Sequence, residues 1–491
     1  MSTNSWMGES GQTLMDRLAQ QPKWPEMSFA TAFRLTIAVA VLARIAAVAV
    51  LIGTDASGVY AYEHGEIARN LLEGRGFSVR LLGTWGLTSQ QAPVLPFLLA
   101  GCYAVAGAGT SAAHQLFFAI QAVEGGILAA GAIALAARYF GRSGWAILAG
   151  LGVAVYPPLV YSATHIQVVA TATALLVWVF VALYDLREFR KPRDAIFAGV
   201  LMGLLALTDP ILALAGVGAT IAWVAIDRPK SRSEAISLAR GWALLVIVSF
   251  GVLLPWSIRN WQVHGRPVFV KSTFGYAFWQ GNNRLSSGTD KVVRESVEAA
   301  LAKSSGGLSG LHDRLWKARH EAGCVDDIAL SVEAKKTLGE LPEAERSAEL
   351  MRRARADLAA EPGRYAKLCL RRLRYYLWFD DTNPKTATAF YRIPHGGLTI
   401  GAVAGLVTMG TVMRRKMAFM IIAFALVAAF HALTITAPRF HLPWEPAMIV
   451  WSVAGMRACL AGWASERSDL LHQNEIASRL RPAATISTAG R

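Results

Sequence analysis

Long apolar runs alternate with short polar segments along most of the chain. A helix needs about 20 apolar residues to cross about 30 Å of hydrocarbon. The apolar runs of about that length are 29–53, 112–137, 143–160, 166–184, 194–208, 210–227, 240–258, 395–413, 417–437 and 440–463. We therefore predict an all-α polytopic membrane protein, a bundle of about ten transmembrane helices.

Basic residues in the polar segments predict how the bundle is oriented. A further apolar stretch, 91–108, is short and contains Pro93 and Pro96. If it lies in the outer interface without crossing, the basic loops fall on the cytoplasmic side, as the positive-inside bias requires. The predicted units are then a cytoplasmic segment 1–28, a membrane module 29–258 with external loop 54–111, a mainly helical soluble insert 259–394 on the periplasmic side, C-terminal membrane helices 395–463 and a cytoplasmic tail 464–491.

Composition and charge support this class of protein and exclude others. The chain is 54% hydrophobic and 17% charged, with a mean hydropathy of +0.35, whereas soluble domains carry about 25% charge. The net charge of +15 lies mostly in short loops between apolar runs, so it predicts contact with membrane lipids and no nucleic-acid partner. The four cysteines lack metal-type spacing, and no Asp-rich motif occurs in the outer loops; we predict no metal and no cofactor.

Outside the apolar runs, two polar stretches have helical patterns. Residues 343–360 are rich in Ala, Glu, Arg and Leu, Pro362 interrupts this pattern, and 364–379 resumes it. In the segment 60–78, apolar positions share one helical face and Gly74 begins a stop signal. We expect an interfacial helix there, and a disulfide between Cys324 and Cys369 if the insert lies in an oxidising compartment.

Several polar side chains stand at the predicted outer ends of apolar runs, where an amphiphilic substrate would meet the protein. Arginine binds phosphate well because its guanidinium stays charged and is bidentate, although arginines at helix ends also anchor spans among lipid head groups. Asparagines bind sugar hydroxyls or form turns, and a lone histidine is often structural. The candidate substrate-binding residues are His165, Gln167, Arg259, Asn260, Asn282, Arg439 and His441.

In chain order, the motifs EIARNLLEGRGFS (66–78), APVLPFLLAG (92–101), YPP (156–158), PWSIRNW (255–261), FWQGNN (278–283) and PRFHLPWEP (438–446) are found. Together they resemble the GT-C superfamily of glycosyltransferases, in particular bacterial lipid A aminoarabinose transferases and protein O-mannosyltransferases. The resemblance covers roughly residues 30–460. It implies a GT-C-like bundle, a sugar donor carried on a polyprenyl phosphate, and an acidic residue in the first outer loop as the base.

The sequence departs from that family where the base is expected. The family aspartate falls on Tyr60, and an acidic-plus-lysine pair of the aminoarabinose transferases falls on Gln90 and Gln91. We favour Glu63 as the catalytic base, one helical turn from the expected position, with Asp55 as the second candidate. Tyr60 and the nearby Glu66 are then candidate substrate-binding residues.

These features predict a glycosyltransferase in the bacterial inner membrane with its active site facing the periplasm or exterior. An external-loop carboxylate acts as the base, and the acceptor is a lipid, glycan or protein. The alternatives are a degenerate, non-catalytic member, a binding scaffold, and a transporter or flippase for an amphiphilic substrate. Against transport, no hydropathy repeat relates the two halves of the chain and no matching broken helices occur.

Overall fold

The structure is a computed structural model. It describes residues 27–81, 84–226, 228–229, 231–292, 308, 310, 312–315, 323–324 and 329–479; after residue 462 only the backbone of the last helix is described.

The first half of the chain is a series of helices interrupted by one short hairpin. Its elements are α1 (Phe29–Leu51), α2 (Tyr62–Leu72), β1 (Ser78–Leu81), β2 (Thr84–Leu87), α3 (Val94–Ala106), α4 (Ser111–Phe140), α5 (Gly144–Val155), α6 (Pro157–Ser162), α7 (Val169–Phe189), α8 (Pro192–Ala206), α9 (Leu214–Ala225) and α10 (Arg232–His264). Strands β1 and β2 pair antiparallel, with Ser78 opposite Leu87.

The second half contains the polar insert and the C-terminal apolar helices. Its elements are α11 (Phe274–Asn282), β3 (Lys291–Val292), β4 (Gly323–Cys324), α12 (Val332–Glu340), α13 (Glu343–Ala360), α14 (Pro362–Leu377), α15 (Ala389–Thr408), α16 (Thr411–Leu433) and α17 (Glu445–Arg479). Strands β3 and β4 pair antiparallel. Short 3-10 turns at Pro210–Ala213, Pro384–Ala387, Pro438–Phe440 and Leu442–Trp444 connect some of these helices.

Within the described part of the chain, five helices are long and apolar enough to cross a membrane: α1, α4, α7, α10 and α16. Helices also occupy the other apolar runs, but several of them are short, such as Val94–Ala106 and Gly144–Val155. The predicted span 143–160 is divided because Tyr156 leaves the helical conformation before Pro157, which begins α6. The protein is therefore a helical membrane protein with five candidate spans, and the count of ten stays a prediction.

Local sequence signals explain where the long helices begin and end. The Ser28 hydroxyl caps α1 by accepting from the backbone N–H of Thr31, and Thr110 caps α4 through Ala113 in the same way. Gly265 follows α10 with a φ of 62°, a conformation that glycine adopts without steric cost. Helix α10 thus continues past 258, where we predicted the insert to begin.

The interior of the bundle depends on close helix packing. The main core includes α4, α5, α7 and α8, together with α9 and the C-terminal helices. Helices α15 and α17 approach each other at Gly405, where an added Cβ would collide with the backbone carbonyl of Trp451. Such close approach between helices requires small residues, and it brings the N-terminal ends of α15 and α17 together.

The insert contains the helices that its sequence predicted. Helices α13 and α14 cover 343–360 and 362–377 and are separated at Pro362. Helix α14 docks onto the end of α16: Arg372 Nε donates to the carbonyl of Ala432 at 2.7 Å, and the Tyr365 hydroxyl donates to the carbonyl of Leu433 at 3.0 Å. The predicted disulfide is absent, because Cys369 is a free cysteine; the side chain of its expected partner, Cys324, lies outside the described residues.

Candidate functional site

A large cavity, called the groove below, lies between α1, α6 and the segments that precede α15 and α17. Its volume is about 490 Å³. On the side of α1 it is lined only by apolar side chains, namely Ala43, Ala46, Ala47, Val50 and Leu51. Its polar lining is Tyr161, Ser162, His165, Gln167, Asp290, Lys291, His312, Asn383, Lys385, Thr388, Tyr391 and Arg439. The groove therefore combines a hydrocarbon-like wall with a cationic region, which is formed by Lys291, Lys385 and Arg439.

Lys385 is the centre of the cationic region. Its Nζ lies 2.7 Å from Nε2 of His165 and 5.0 Å from the ring centroid of Tyr161. The ring of His312 packs against that of His165, with centroids 5.9 Å apart. Burial, helped by the charge of Lys385, lowers the pKa of His312 to about 4, so this imidazole is neutral at neutral pH.

Arg439 extends the cationic region toward a second group of charges. Its guanidinium lies 3.9 Å from the carboxylate of Asp290, which also lines the groove. Arg439 also lies within electrostatic range of Asp209 and Lys271. Arg439 therefore belongs both to the groove and to a group of ionisable residues that we call the charged cluster. Its members are Glu63, His64, Asp209, Lys271 and Arg439.

The charged cluster is formed by segments that are far apart in the sequence. Lys271 interacts electrostatically with Asp209 and with Glu63 of α2, and burial lowers the pKa of its ammonium while Asp209 opposes that shift. Burial raises the pKa of Asp209, whose carboxylate also accepts from the N–H of Ile211 at 3.3 Å. The charges of Glu63 and Asp209 thus act on Lys271, and the charge of Arg439 acts on both Asp209 and Lys271.

His64 completes the charged cluster from the neighbouring position of α2. Burial, together with the charges of Lys271 and Arg439, lowers the pKa of His64 to about 3. The imidazole is consequently neutral at neutral pH and adds no charge to the cluster.

The opposite face of α2 borders a different cavity. This shallow depression of about 650 Å³ is lined by Tyr60, Glu66, Arg69, Arg80 and Trp85, among others, and does not include Glu63. Tyr60 is 53% exposed, and a Glu66 carboxylate oxygen accepts from the N–H of Arg80 at 2.8 Å. Glu66 thereby attaches the hairpin to α2. The substrate-binding roles that we expected for Tyr60 and Glu66 stay predictions.

Asp55 lies in the exposed loop between α1 and α2. Its carboxylate accepts from the backbone N–H of Ser57 at 2.9 Å, and this hydrogen bond lowers the pKa of Asp55. The residue lines neither the groove nor the depression beside α2. Its role as the second candidate base is untested.

Arg259 and Asn260 lie in a polar contact that we call the seam, formed by Ser89, Arg259, Asn260, His264 and Glu343. The guanidinium of Arg259 donates to the carbonyls of Thr88 at 2.6 Å and Phe77 at 3.0 Å and stacks over the ring of Trp256. The fully buried amide of Asn260 donates to the carbonyl of Val270 at 3.2 Å and accepts from the Ser89 hydroxyl at 2.7 Å.

Glu343, the first residue of α13, joins the insert to the seam. Its carboxylate accepts from the N–H of Ser89 at 2.8 Å and from the hydroxyl of Ser272. His264 lies 3.7 Å from the same carboxylate. The polar atoms of the seam are therefore engaged by other protein groups, and the substrate-binding roles expected for Arg259 and Asn260 stay predictions.

The remaining candidates divide between the groove and the protein interior. His165, Gln167 and Arg439 line the groove. The buried amide of Asn282 instead donates to the carbonyl of Thr434 at 3.0 Å and accepts from Arg372 at 3.0 Å. His441 is buried and lies 2.8 Å from the hydroxyl of Tyr391. The substrate-binding roles expected for these five residues stay predictions.

Lys271 and Lys385 were not among the residues that the sequence singled out for binding or catalysis. In the structure, Nζ of Lys271 donates to Oε1 of Gln91 at 3.4 Å. Gln91 is where the resembled aminoarabinose transferases have a lysine, so an ammonium group reaches that position from a distant segment. Lys385 lies near the end of the predicted insert 259–394 without any surrounding motif, and its position in the groove could not be foreseen.

Comparison with known proteins found relatives only among solved structures. No protein-family model matches the chain, and no curated protein matches it significantly in sequence. The Archaeoglobus fulgidus oligosaccharyltransferase tethered to an acceptor peptide is 14% identical, with a TM-score of 0.49, over 86% of this chain and 49% of that one. The present chain thus spans about half the length of that enzyme.

Two further solved structures are similar. The archaeal oligosaccharyltransferase AglB from Archaeoglobus fulgidus, in complex with an inhibitory peptide and a dolichol-phosphate, has a TM-score of 0.48 at 14% identity, covering 91% of this chain and 52% of that one. ArnT from Cupriavidus metallidurans, bound to undecaprenyl phosphate, has a TM-score of 0.38 at 15% identity, covering 91% and 81%. These structural neighbours are glycosyltransferases of the GT-C superfamily, the group that the ordered sequence motifs resemble.

Proposed function

We propose that the chain is a membrane glycosyltransferase that moves a sugar from a polyprenyl-phosphate-linked donor to an amphiphilic or glycan acceptor at the outer face of the membrane. The observation that carries this proposal is the groove, whose apolar α1 wall and cationic region meet in one cavity. A lipid-linked sugar phosphate has the same two-part chemistry. The bacterial inner membrane, with the site facing the periplasm, is part of the proposal.

The cationic region supplies what the phosphate of such a donor requires. Lys385 and Lys291 line the groove beside Arg439. Ammonium and guanidinium groups form charge-assisted hydrogen bonds with phosphate oxygens. As the anomeric bond breaks, negative charge develops on the departing phosphate, and fixed cations in a poorly solvated site stabilise that charge. The polyprenyl chain would follow the apolar wall of α1.

Glu63 is the proposed base. Its carboxylate takes the proton of the acceptor hydroxyl or amine, and the acceptor atom attacks the anomeric carbon. The bond from that carbon to the phosphate oxygen breaks, and both electrons leave with the polyprenyl phosphate. The support is electrostatic, since the charge of Glu63 acts on Lys271, and Lys271 and the groove residue Arg439 act on each other. Proton transfer of this kind typically contributes about 10²–10⁴-fold to a rate.

Lys271 is proposed to hold the acidic side of the site together. Its ammonium interacts electrostatically with both Glu63 and Asp209 and donates a hydrogen bond to Gln91. In this arrangement Lys271 orients the carboxylate of Glu63, and Asp209 orients Lys271. Both are positioning residues, because the reacting groups would touch Glu63 and the groove cations.

The proposal is tested by following donor chemistry. Purified protein in lipid nanodiscs is supplied with a short-chain polyprenyl-phosphate sugar and a mixture of envelope lipids as acceptors. The expected result is release of free polyprenyl phosphate together with a new sugar-modified lipid, both detected by mass spectrometry. Donor that crosses between the leaflets of proteoliposomes without cleavage would instead support the flippase alternative. Donor that binds but is neither cleaved nor moved would identify a binding-only protein.

A further inference from the structure

Three side chains that could ligate a metal converge in the interior where α15 meets α17. His395, His441 and Glu445 are 1%, 2% and 0% exposed. Nδ1 of His395 lies 3.2 Å from Oε1 of Glu445, and Nε2 of His441 lies 3.5 Å from the same oxygen. The two imidazole rings are stacked, with centroids 4.5 Å apart. Two nitrogen atoms therefore face one carboxylate oxygen.

Within the described ranges, no lysine or arginine forms an ion pair with this group. Among the described residues, the ion-pair partners of Glu445 are the two histidines. Its second oxygen, Oε2, is buried and has no hydrogen-bond partner within the described part of the chain. A carboxylate in the interior of a helical bundle is costly unless a cation compensates it.

We propose that His395, His441 and Glu445 form a binding site for a divalent metal ion of the zinc class. Zinc binds imidazole nitrogen and carboxylate oxygen at about 2.0–2.1 Å, and in a tetrahedral site such ligand atoms stand about 3.3 Å from one another. The observed separations of 3.2 Å and 3.5 Å match that spacing, and all three ligand atoms lie within 4.8 Å of one another. Two histidines with one glutamate are a ligand set that zinc uses where one coordination position stays open.

Two tyrosines complete the surroundings of the site. The Tyr156 hydroxyl donates to Oε1 of Glu445 at 3.3 Å, which fixes the carboxylate from outside the ligand set. The Tyr391 hydroxyl lies 2.8 Å from Nε2 of His441, and Tyr391 also lines the groove. Tyr391 therefore connects the proposed site to the groove.

This inference does not rest on the proposed glycosyl transfer, since metal binding needs no substrate; it gives His441, a candidate substrate-binding residue, a role as a metal ligand. Sequence patterns did not predict the site, because its ligands come from two separate segments of the chain. A bound ion would join α15 to α17 at the end opposite the close approach at Gly405.

Metal content of the full-length protein tests the site directly. Protein purified without chelator is analysed by inductively coupled plasma mass spectrometry, then stripped and reloaded with Co²⁺ alone. We expect about one equivalent of metal per chain and a visible absorption band of tetrahedral Co²⁺ that Zn²⁺ displaces. The double variant His395→Ala, Glu445→Gln should lose both signals. His431→Gln is the matched control, since His431 is equally buried but contacts the carbonyl of Ile435, and it should keep both.

A second measurement covers the case in which the double variant fails to fold. Stripped wild-type protein should unfold at a higher temperature when Zn²⁺ is added, and chelator should reverse the shift, because a ligand that binds only the folded state stabilises it. Wild-type protein with no bound metal, no Co²⁺ band and no Zn²⁺-dependent shift would overturn the proposal. Equal metal content in wild type and in a folded double variant would overturn it too, by placing the metal elsewhere.

Discussion

Arg259 and Arg439 stand at the ends of apolar helices in the two halves of the chain, and the sequence predicted the same phosphate-binding role for both. In the structure their surroundings differ. Arg259 donates to the carbonyls of Thr88 and Phe77 inside the seam. Arg439 lines the groove beside Asp290 and interacts with Lys271. A cation whose donors are used by backbone carbonyls holds the protein together, whereas a cation beside a cavity is placed to meet a ligand.

The same contrast separates the carboxylates of the two regions. Glu343 in the seam accepts from Ser89 and Ser272 and so connects the insert to the bundle. Glu63 in the charged cluster instead interacts with Lys271 next to the groove. Substitutions in the seam should therefore affect stability, and substitutions on the groove side should affect binding and turnover. Four sets of substitutions test this division.

The substitution Glu63→Gln should have the largest effect. It preserves size and removes the basic carboxylate, so turnover should fall by about 10²–10⁴-fold, while donor affinity changes little. Asp55→Asn should do less, because Asp55 lies in an exposed loop away from the groove. Single-turnover release of polyprenyl phosphate measures both, with Glu73→Gln, an exposed glutamate at the end of α2, as the control. Full activity in Glu63→Gln with loss in Asp55→Asn would transfer the role to Asp55.

Removing a groove cation should weaken donor binding. Lys385→Met and Arg439→Gln each remove a charge-assisted hydrogen bond to phosphate, which contributes about 1.5–3 kcal/mol and corresponds to about 10- to 100-fold in Kd. Binding of a fluorescent polyprenyl phosphate gives the affinity, and thermal unfolding should be nearly unchanged. Lys336→Met, which replaces an exposed lysine of α12, is the control. Unchanged affinity in both variants would remove the cationic region from the donor site.

The substitution Asn260→Leu probes the seam with the opposite expectation. It leaves the carbonyls of Val268 and Val270 and the Ser89 hydroxyl without their partner amide. Each buried polar group that loses its partner costs about 1–3 kcal/mol. The unfolding temperature should fall, while donor affinity of the folded protein stays at the wild-type value. If the variant unfolds at the wild-type temperature but binds the donor more weakly, the seam contributes to substrate binding.

The smallest effect is expected from α14. Its buried face docks on α16 through Arg372, whereas Arg371 and Arg374 are exposed. Reversing both exposed charges should weaken binding of an anionic acceptor by about 2- to 5-fold, since an exposed charge contributes up to about 1 kcal/mol, and folding should stay intact. The control reverses Arg352 and Arg355, which are exposed on α13. Acceptor affinity equal to that of the control would assign α14 a docking role alone.

Local patterns in the sequence predicted the helices well. The apolar runs became helices, α13 and α14 begin and end close to the predicted residues, and α2 forms before its glycine stop at Gly74. This success has a physical reason: helical hydrogen bonds join residues four apart, so the signals that start and stop a helix are near it in the chain. The break at Tyr156 was missed, because an apolar count does not register the restriction that Pro157 imposes on the preceding residue.

The sequence by itself determined the class of protein, the positions of its helices and the group of polar residues near their ends. Only the tertiary structure decided which of those residues share a space. It brought Lys271 to Gln91, engaged Arg259 and Asn282 with backbone carbonyls, and joined His395 to Glu445. These contacts link segments that are distant in the chain, and they depend on how packed helices approach one another, which local periodicity does not encode.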